Sequence, residues 1–389
     1  MNVAIFGYGT IGSGVYEIIT DHKSEALKEI QVTRILDLPQ NKDKLAIITD
    51  DINEILNDES IELVVETMGG LHPAYEFIMS SLQHGKHVVS ANKAVVAAYL
   101  EEFLQTAKEH NVKFLFEAST GGGIPWLASI LKAKRIDKID SFYGIFNGTS
   151  NFILDHMYHY NKDFHESLKL AQELGYAEAN PSADIDGYDV TNKVVISAAL
   201  AFDAYIDRKQ FPCFSMSKIS FDDIHYLKEN NKTVKYIGEA QILDGCYEAF
   251  VMPNVFPSSS LEANVRTNFN IATLHGETIG ELKFFGQGAG KLPTANAIIQ
   301  DILDIRMMQN EYDTNRNEWY AYSDTLLANR YLIRSHQSHA SALIEKTEEY
   351  NGNYYMYTSS ITTKDMMELY HSIMENDENT FIAKIGNFE

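Results

Sequence analysis

The chain has 389 residues, of which 45% are hydrophobic and 22% are charged, a composition typical of globular proteins and unlike that of disordered ones. Its 32 basic and 54 acidic residues give a formal charge of −22, which argues against nucleic acid and anionic membrane surfaces as partners, because both require basic patches. The sequence shows no apolar run of ~20 residues, no basic leader and only two cysteines, which predicts a cytoplasmic protein without membrane spans or a disulfide framework.

The chain opens on a short apolar strand at residues 3–6, a turn with three glycines, and a helical pattern. The turn consists of Gly7, Tyr8, Gly9, Thr10, Ile11 and Gly12. Its G-x-G-x-x-G spacing permits a tight turn, a close approach of the backbone to a pyrophosphate, and packing of the helix on the strand. Strand, glycine turn and helix in this order predict a dinucleotide site, the alternative being a glycine-rich turn without a ligand.

Strands and helices continue to alternate through the first third of the chain. Apolar runs predict strands at 32–36, 63–67, 87–90 and 113–117, and helical periodicity predicts helices at 73–84 and 94–110. This alternation indicates an α/β fold with a Rossmann-type, doubly wound parallel sheet. Small and polar residues follow three strands, at 67–70, 90–93 and 119–123, and ligands of such sheets bind at the carboxyl ends of strands. We therefore expect these segments to share one site.

Asp37 lies at the end of the second predicted strand, 25 residues after Gly12. An acidic residue about 20 residues beyond the glycine motif usually binds the ribose hydroxyls of NAD, whereas an arginine there suits the 2′-phosphate of NADP. The alternative is an acid in a solvated turn. The residues therefore favour NAD over NADP, although Lys42 and Lys44 could still contact a phosphate.

The pattern changes after residue 138 and predicts α+β structure. A strand at 139–146 and helices at 152–160 and 166–174 precede an acidic loop at 176–189 and a helix at 190–201. Apolar stretches at 236–243 and 247–251 predict sheet strands. The C-terminal residues predict strands at 331–334, 342–346 and 354–359, a helix at 363–374 and a strand at 381–384.

Asp189 and Lys193 are spaced i, i+4 at the start of the helix predicted at 190–201, so they share one face. The rest of this helix is small and apolar, as in a buried helix. Burial disfavours the charged form of a lysine and a neighbouring carboxylate favours it, a combination that suits proton transfer at a carbonyl. The residues alone leave this interpretation open against a surface ion pair that contributes little.

Seven segments resemble those of the homoserine dehydrogenase family and follow the family's order. They are GYGTIG, VVETMGG, VVSANKA, FEASTGGGIP, GIFNGTSNFIL, GYAEANPSADIDGYDVTNK and GQGAGKLPTANAIIQD, within roughly residues 1–312. The resemblance implies NAD- or NADP-dependent interconversion of L-homoserine and L-aspartate 4-semialdehyde, in threonine, methionine and isoleucine biosynthesis. It also implies a homodimer or homotetramer, with the stretches at 236–243 and 247–251 forming a sheet for subunit pairing.

The resemblance implies roles for five side chains at matching positions. Lys193 matches the general acid/base at the substrate C4 oxygen, and Asp189 matches its partner on the same helix. Asp184 matches a carboxylate of the substrate site, and Glu178 matches the glutamate that holds the substrate ammonium. Lys93 matches a second catalytic lysine that lies near both cofactor and substrate.

The resemblance also implies cofactor and cation sites. The residues expected to contact the dinucleotide are Gly7, Gly9, Thr10, Ile11, Gly12, Asp37, Thr67, Gly69, Ser90, Lys93 and Gly288. A monovalent cation, expected to be Na⁺, would be held for structural reasons by Glu117 and the carbonyls of Thr120, Gly122 and Ile124. The implied domains are a dinucleotide-binding domain at 1–130, completed by 290–312 with a helix at 293–308, and a catalytic and oligomerisation domain at 131–289. A small C-terminal α+β domain at 320–389 would follow.

Some features depart from the family. Leu36 stands where NADP-using members often have an arginine, which puts a preference for NADP in doubt. Residues 320–389 could form a divergent ACT-like module, but they lack the Pro-Gly-Val-Leu-like turn of a typical one, so threonine feedback does not follow. Two alternatives stay open: a semialdehyde dehydrogenase with a cysteine nucleophile, and a dinucleotide-sensing protein without catalysis. Neither Cys213 nor Cys246 has a base nearby in the sequence, which the first alternative requires.

Overall fold

The computed structural model describes residues 1–21, 24–307 and 318–386. The strands in chain order are β1 (Asn2–Phe6), β2 (Gln31–Leu36), β3 (Ile48–Thr49), β4 (Ile61–Glu66), β5 (His87–Ser90), β6 (Phe114–Leu115), β7 (Ile139–Ile145), β8 (Ala204–Tyr205), β9 (Lys232–Leu243), β10 (Cys246–Pro257), β11 (Phe269–Gly276), β12 (Gly280–Gln287), β13 (Glu318–Trp319), β14 (Ala321–Tyr322), β15 (Ala328–Ser335), β16 (Ile344–Tyr350), β17 (Asn353–Thr358), β18 (Ile361–Thr362) and β19 (Phe381–Ile385). The α-helices are α1 (Thr10–Asp21), α2 (Asn53–Leu56), α3 (Ala74–Gln83), α4 (Lys93–Glu109), α5 (Trp126–Ala133), α6 (Gly148–Tyr160), α7 (Phe164–Glu173), α8 (Ser182–Ile185), α9 (Tyr188–Ala201), α10 (Phe221–Glu229), α11 (Lys291–Arg306) and α12 (Thr363–Met374).

The first of two compact units contains residues 1–136, residues 199–203 and the segment that begins at Gly286. Its described strands form a parallel sheet in the order β3-β2-β1-β4-β5-β6. The apolar runs in β1 and β4 are fully buried, because helices cover such a sheet on both faces. The Rossmann-type fold predicted from the alternation is confirmed. Strand β6 has two residues instead of the predicted five, because a 3₁₀ turn begins at Glu117.

The second unit contains residues 137–198, residues 204–285 and the segment that begins at Glu318. Its mixed sheet has the order β12-β11-β7-β9-β10-β19-β15-β17-β16, with β14 beside β10 and β18 beside β15. Strands β9 and β10 form an antiparallel hairpin of twelve residues each. Its turn, Asp244-Gly245, has φ of 51° and 78°, the left-handed pair that matches hairpin twist.

Helix α9 packs closely on this sheet at Gly238 of β9. A Cβ atom at Gly238 would lie 2.5 Å from Val190 Cγ1 and 2.7 Å from Val194 Cγ2. Real Cβ atoms essentially never come within 3.0 Å of such atoms, so a side chain at Gly238 would force the two valines or the helix to shift. The valine side chains of the helix that carries Asp189 and Lys193 therefore pack directly on the backbone of β9 at this glycine.

The C-terminal segment has the predicted α+β composition, and α12 has the predicted bounds, 363–374. Its strands extend the sheet of the second unit instead of forming a separate one, because β19 pairs in parallel with β10 through Asn254 and Val255. Apolar side chains of both parts form one cluster, with Phe250 and Met252 packed among Tyr331, Ile333 and Met366. Residues 22–23, 308–312 and 387–389 of the expected domains, and residue 308 of the predicted helix 293–308, lie outside the described residues.

Several elements differ from the sequence prediction. Helix α6 begins at Gly148, four residues early, because the Asn147 side chain accepts a hydrogen bond from Ser150 N and caps it. The acidic loop contains the one-turn helix α8. The prediction missed helices α5 and α10 and strands β11 and β12.

Candidate active site

The glycine turn has the backbone geometry that its motif predicts. Gly7 has a φ of +92°, which glycine adopts readily. A Cβ atom at Gly12 would lie 1.9 Å from Gly7 O, so the start of α1 packs directly on the turn. A Cβ atom at Gly9 would meet no atom within 4 Å, so the space before this residue is open. The turn therefore fits a pyrophosphate at the amino end of α1.

A cavity of about 650 Å³ lies beside this turn. Its walls include Gly7, Gly9, Asp37, Lys44, Asp50 and Gly69. The carboxylate of Asp37 accepts hydrogen bonds from Tyr8 N at 2.6 Å, Leu38 N at 2.6 Å and Asn41 Nδ2 at 2.9 Å. Burial raises the pKa of Asp37, but these hydrogen bonds outweigh it and hold its pKa below the usual range. The cavity wall thus carries an ionised carboxylate, which suits ribose hydroxyls.

Two hydroxyl groups expected at the cofactor site form internal hydrogen bonds. Thr67 Oγ1 donates to Phe6 O and Gly7 O, both at 3.0 Å, and so joins β4 to the glycine turn. Ser90 Oγ is buried and donates to Glu66 Oε2 at 2.6 Å. The structure therefore assigns both hydroxyls to the support of the loops around the cavity. Thr10 and Ile11 begin α1, and Thr10 is exposed.

Glu66, which the sequence analysis did not select, connects two loops of this unit. It is fully buried, and its Oε1 accepts hydrogen bonds from Met68 N at 2.8 Å and Asn92 Nδ2 at 3.4 Å. Asn92 Nδ2 also donates to Gly70 O at 2.7 Å, and its Oδ1 caps α4 by accepting from Val95 N. Burial raises the pKa of Glu66, against these hydrogen bonds. An acid inside an otherwise apolar strand was the available sequence signal.

Lys93, the first residue of α4, follows Asn92 directly and is half-buried. Because Asn92 caps α4, its hydrogen bond with Val95 N fixes the backbone position of Lys93. Gly288 is buried against the loop of Gly122, where a Cβ atom would lie 2.4 Å from Gly288 C. Both glycines belong to the first unit, so the returning chain packs on it here.

Asp189 and Lys193 form a buried ion pair in the second unit. Their side chains are 2% and 8% exposed, and Lys193 Nζ lies 2.7 Å from Asp189 Oδ2. Lys193 Nζ also donates to Phe146 O at 2.6 Å. The alternative of a surface ion pair is therefore wrong. A buried cation held by a carboxylate and a carbonyl at the start of a helix is equipped to give and take a proton.

The acidic segment before α9 contributes one further carboxylate to this group. Asp184 Oδ1 accepts a hydrogen bond from Asn147 Nδ2 at 2.7 Å, and the same nitrogen donates to Asp189 Oδ2 at 2.8 Å. The sequence analysis quoted Asn147 within a motif but gave it no role. Glu178 has an exposed side chain, and its carbonyl accepts from Gln172 Nε2 at 3.0 Å.

The residues expected at the cation site centre on Glu117. Its buried carboxylate accepts hydrogen bonds from Leu127 N at 3.0 Å and Ala128 N at 2.7 Å, in the first turn of α5. Burial raises the pKa of Glu117 to about 7, and Asp301, which accepts from Glu117 N at 2.9 Å, has its pKa raised by burial and then by the charge of Glu117. Two buried acids so close together fit a neighbouring cation, which would offset their charge.

The other residues expected at the cation site lie in the loop that follows. Thr120 and Ile124 are buried, and Gly122 has a φ of +57°. The carbonyl of Ile124 accepts from Trp126 N at 2.7 Å. No group of three or more histidine, cysteine or acidic side chains that could hold a metal ion occurs in the described part of the chain. The expected donor set of one carboxylate and backbone carbonyls would suit a hard monovalent ion better than a transition metal.

Cys213 does not have the surroundings of a catalytic nucleophile. Its Sγ donates to Asp186 O at 3.2 Å and accepts from Thr191 Oγ1 at 3.5 Å, and burial raises the pKa of the thiol. A thiol held protonated is a poor nucleophile. These contacts disfavour the cysteine-dependent alternative. Among the described helices, none combines the length and apolar character that a bilayer crossing requires.

The chain matches known proteins along most of its length. Residues 7–117 match a family model described as the NAD-binding domain of homoserine dehydrogenase, and residues 125–303 match one described as homoserine dehydrogenase. The homoserine dehydrogenase of Synechocystis is 37% identical over 326 residues, which are 81% of this chain and 75% of the relative. That of Bacillus subtilis is 34% identical over 78% of this chain and 72% of its own. The crystal structure of a homoserine dehydrogenase from Thiobacillus denitrificans has a TM-score of 0.90 at 27% identity, covering 99% and 98% of the two chains.

Proposed function

The chain belongs to the homoserine dehydrogenase family of oxidoreductases and has its NAD-binding domain, and from this premise we propose that Lys193 moves the proton of the reaction while Asp189 holds it in place. The observation that carries this proposal is the buried contact of 2.7 Å between Lys193 Nζ and Asp189 Oδ2. Bound nicotinamide supplies or accepts the hydride. When the semialdehyde is reduced, Lys193 donates a proton to the developing alkoxide at C4, and in the reverse direction it removes the hydroxyl proton.

The remaining groups of the second unit position the lysine and the substrate. Phe146 O and Asp189 Oδ2 fix the direction of Lys193 Nζ from two sides. The substrate is a zwitterion and requires both a carboxylate for its ammonium and donors for its own carboxylate. We assign the ammonium to Glu178 and a supporting contact to Asp184. Lys93 of the first unit serves as the second lysine, whose cation attracts substrate and cofactor charge.

We propose NAD as the cofactor in preference to NADP. The Asp37 carboxylate lines the cavity with a lowered pKa and suits a ribose diol. Asp50 adds a second carboxylate to the wall, and Lys42 forms an ion pair with it. Lys44 also lines the cavity and could attract a 2′-phosphate. The carboxylates of Asp37 and Asp50, in the same wall, would repel that phosphate. The contacts proposed for the dinucleotide are those of Gly7, Gly9, Thr10, Ile11, Gly12, Asp37, Gly69, Lys93 and Gly288, with Thr67 and Ser90 supporting the loops.

We also propose a cation site, domain boundaries, an oligomeric state and a cellular location for the enzyme. A structural Na⁺ would be bound by Glu117 and the carbonyls of Thr120, Gly122 and Ile124. The dinucleotide domain would span 1–130 and 290–312, and the catalytic and oligomerisation domain 131–289. The enzyme would act in the cytoplasm as a homodimer or homotetramer, without nucleic-acid or membrane partners, in threonine, methionine and isoleucine biosynthesis. Residues 320–389, whose strands continue the sheet, stay a candidate for a divergent ACT-like module.

Replacement of Lys193 tests the proton-transfer role. We expect Lys193→Ala to lower kcat for homoserine oxidation by about 10²- to 10⁴-fold, as loss of a general acid/base does, while the Kd for NADH changes less than about twofold. Turnover would be followed at the nicotinamide absorbance band with NAD and NADP in turn, and binding by fluorescence titration. Near-normal turnover would refute the role.

A matched control is available in the same unit. Lys235 is also a buried lysine, and its Nζ donates to Asn151 Oδ1 at 3.0 Å and Val265 O at 2.7 Å. We expect Lys235→Met to lower the melting temperature and to leave kcat of the folded enzyme within about twofold. Equal losses of kcat in the two variants would mean that burial of a lysine, and not its place beside Asp189, explains the effect.

A further inference from the structure

Asn147 lies between β7 and α6 and uses both ends of its side-chain amide. Its Nδ2 donates to Asp184 Oδ1 at 2.7 Å and to Asp189 Oδ2 at 2.8 Å, and its Oδ1 accepts from Ser150 N at 2.7 Å. The residue is 4% exposed. A primary amide has two donors and one acceptor oxygen, and no other uncharged side chain except glutamine offers this set.

The two donors of Asn147 separate two carboxylates that belong to different elements. Asp184 lies in α8 and Asp189 in the first turn of α9. Carboxylates this close to one shared nitrogen repel each other unless donors stand between them. The amide therefore fixes the position of each acid, and it leaves Asp189 Oδ2 with two donors, Asn147 Nδ2 and Lys193 Nζ.

The residue before Asn147 contacts the other half of the ion pair. Phe146 O accepts a hydrogen bond from Lys193 Nζ at 2.6 Å. Two consecutive residues therefore hold the ion pair: the Phe146 carbonyl binds Lys193, and the Asn147 amide binds Asp189. Their position is itself fixed, because Asn147 caps α6. Any shift of this dipeptide would move both members of the pair together.

We propose that Asn147 is a positioning residue that sets the place and charge of Asp189, and through it the direction of Lys193, for proton transfer at the substrate oxygen. This inference rests on the proton-transfer role proposed for Lys193. Asn147 acts through Asp189 and does not itself exchange a proton.

The variant Asn147→Ser separates bridging from capping. Serine caps a helix about as well as asparagine but has no amide to join the two acids. We expect kcat to fall about ten- to hundredfold, with KM for the dinucleotide within about twofold. The pH at half-maximal kcat for homoserine oxidation should move upward, because Asp189 then relies more on the protonated lysine. Unchanged kcat and an unchanged pH profile would overturn the inference.

A second variant keeps the size and the cap. Asn147→Asp places a third carboxylate against Asp184 and Asp189, so we expect a larger loss of kcat than in Asn147→Ser, and activity equal to wild type would contradict us. Asp163 caps α7 in the same unit by accepting from Glu166 N at 2.7 Å. The exchange Asp163→Asn is therefore the matched cap control and should leave both kcat and the pH profile unchanged.

The double variant Lys193→Ala/Asn147→Ser distinguishes failure of the inference from failure of the proposed function. If Asn147 acts through the pair, adding Asn147→Ser to Lys193→Ala should lower kcat by less than about threefold. A further loss as large as that of Asn147→Ser alone would show that Asn147 acts elsewhere and would sink the inference. Near-normal turnover of Lys193→Ala itself would instead refute the proton-transfer role.

Discussion

The two units each bury a carboxylate and each use an asparagine to hold it, but with different partners. In the first unit, Glu66 receives hydrogen bonds from a hydroxyl, a backbone amide and Asn92. In the second unit, Asp189 receives a lysine cation and the amide of Asn147. Both asparagines also cap a helix.

The difference in partners matches the different roles that we propose for the two acids. An acid surrounded by uncharged donors ties loops together, because its hydrogen bonds have fixed directions and no proton needs to move. An acid paired with a lysine holds the lysine, and the proton that it can transfer, in one position. Burial of a carboxylate is thus no indicator of catalysis until its donors are known.

Asp189→Asn removes the ion pair of the second unit and has the largest expected effect. The amide keeps the size of the side chain but removes the charge that holds Lys193. We expect kcat to fall by about 10²-fold or more, with dinucleotide Kd within about twofold. Steady-state kinetics and an NADH titration measure both, and a kcat within threefold of wild type would disprove the partnership.

Glu66→Gln weakens the hydrogen-bond network of the first unit and should act mainly on binding of the dinucleotide. The variant loses one charge-assisted acceptor that holds the loops of Met68 and Asn92, about 1–1.5 kcal/mol. We expect the Kd for NADH to rise about tenfold and kcat to change less. Glu62→Gln on the same strand is the control, because the Glu62 side chain is 54% exposed. A fall in kcat without weaker binding would remove the distinction between the two networks.

Asp37→Asn removes a negative charge from the cavity wall of the first unit, and we expect a smaller effect than for Glu66→Gln. The neutral amide still reaches ribose hydroxyls but is a weaker acceptor, so kcat/KM with NAD should fall about three- to fivefold. With NADP it should stay constant or rise, because a charge that opposes the 2′-phosphate is gone. Measurements of kcat/KM with each cofactor decide this, and a parallel fall with both would contradict the proposed preference.

The pH dependence of stability gives the smallest effect. The pKa of Glu66 is raised above its ordinary 4.5 in the folded chain, so between 4.5 and the raised value the folded state binds the proton more tightly than the unfolded state. This contribution to stability is present below that window and is lost as pH rises through it. Glu66→Gln has no such slope, so the melting temperature of wild type relative to the variant should fall as the pH rises above 4.5. Parallel melting curves would be inconsistent with the raised pKa.

The sequence predicted the features that depend on local pattern. The glycine turn, the apolar strands of the parallel sheet and the i, i+4 pair of Asp189 and Lys193 are each visible within a dozen residues. Asn147 and Glu66 were missed because their partners are far away in sequence, 42 residues in the contact of Asn147 with Asp189 and 26 in that of Glu66 with Asn92. The pairing of β19 with β10 was missed for the same reason, since periodicity gives the existence of a strand and not its neighbour.

The close packing at Gly238 has a consequence for how this enzyme can change. Because a single methyl group there would collide with Val190 and Val194, a substitution would force these side chains or the helix that carries Lys193 to shift. A residue with no functional group thereby constrains where the helix that carries Lys193 can lie. Random mutagenesis scored by homoserine turnover should therefore recover inactive alleles at a site that no survey of reactive side chains would have chosen.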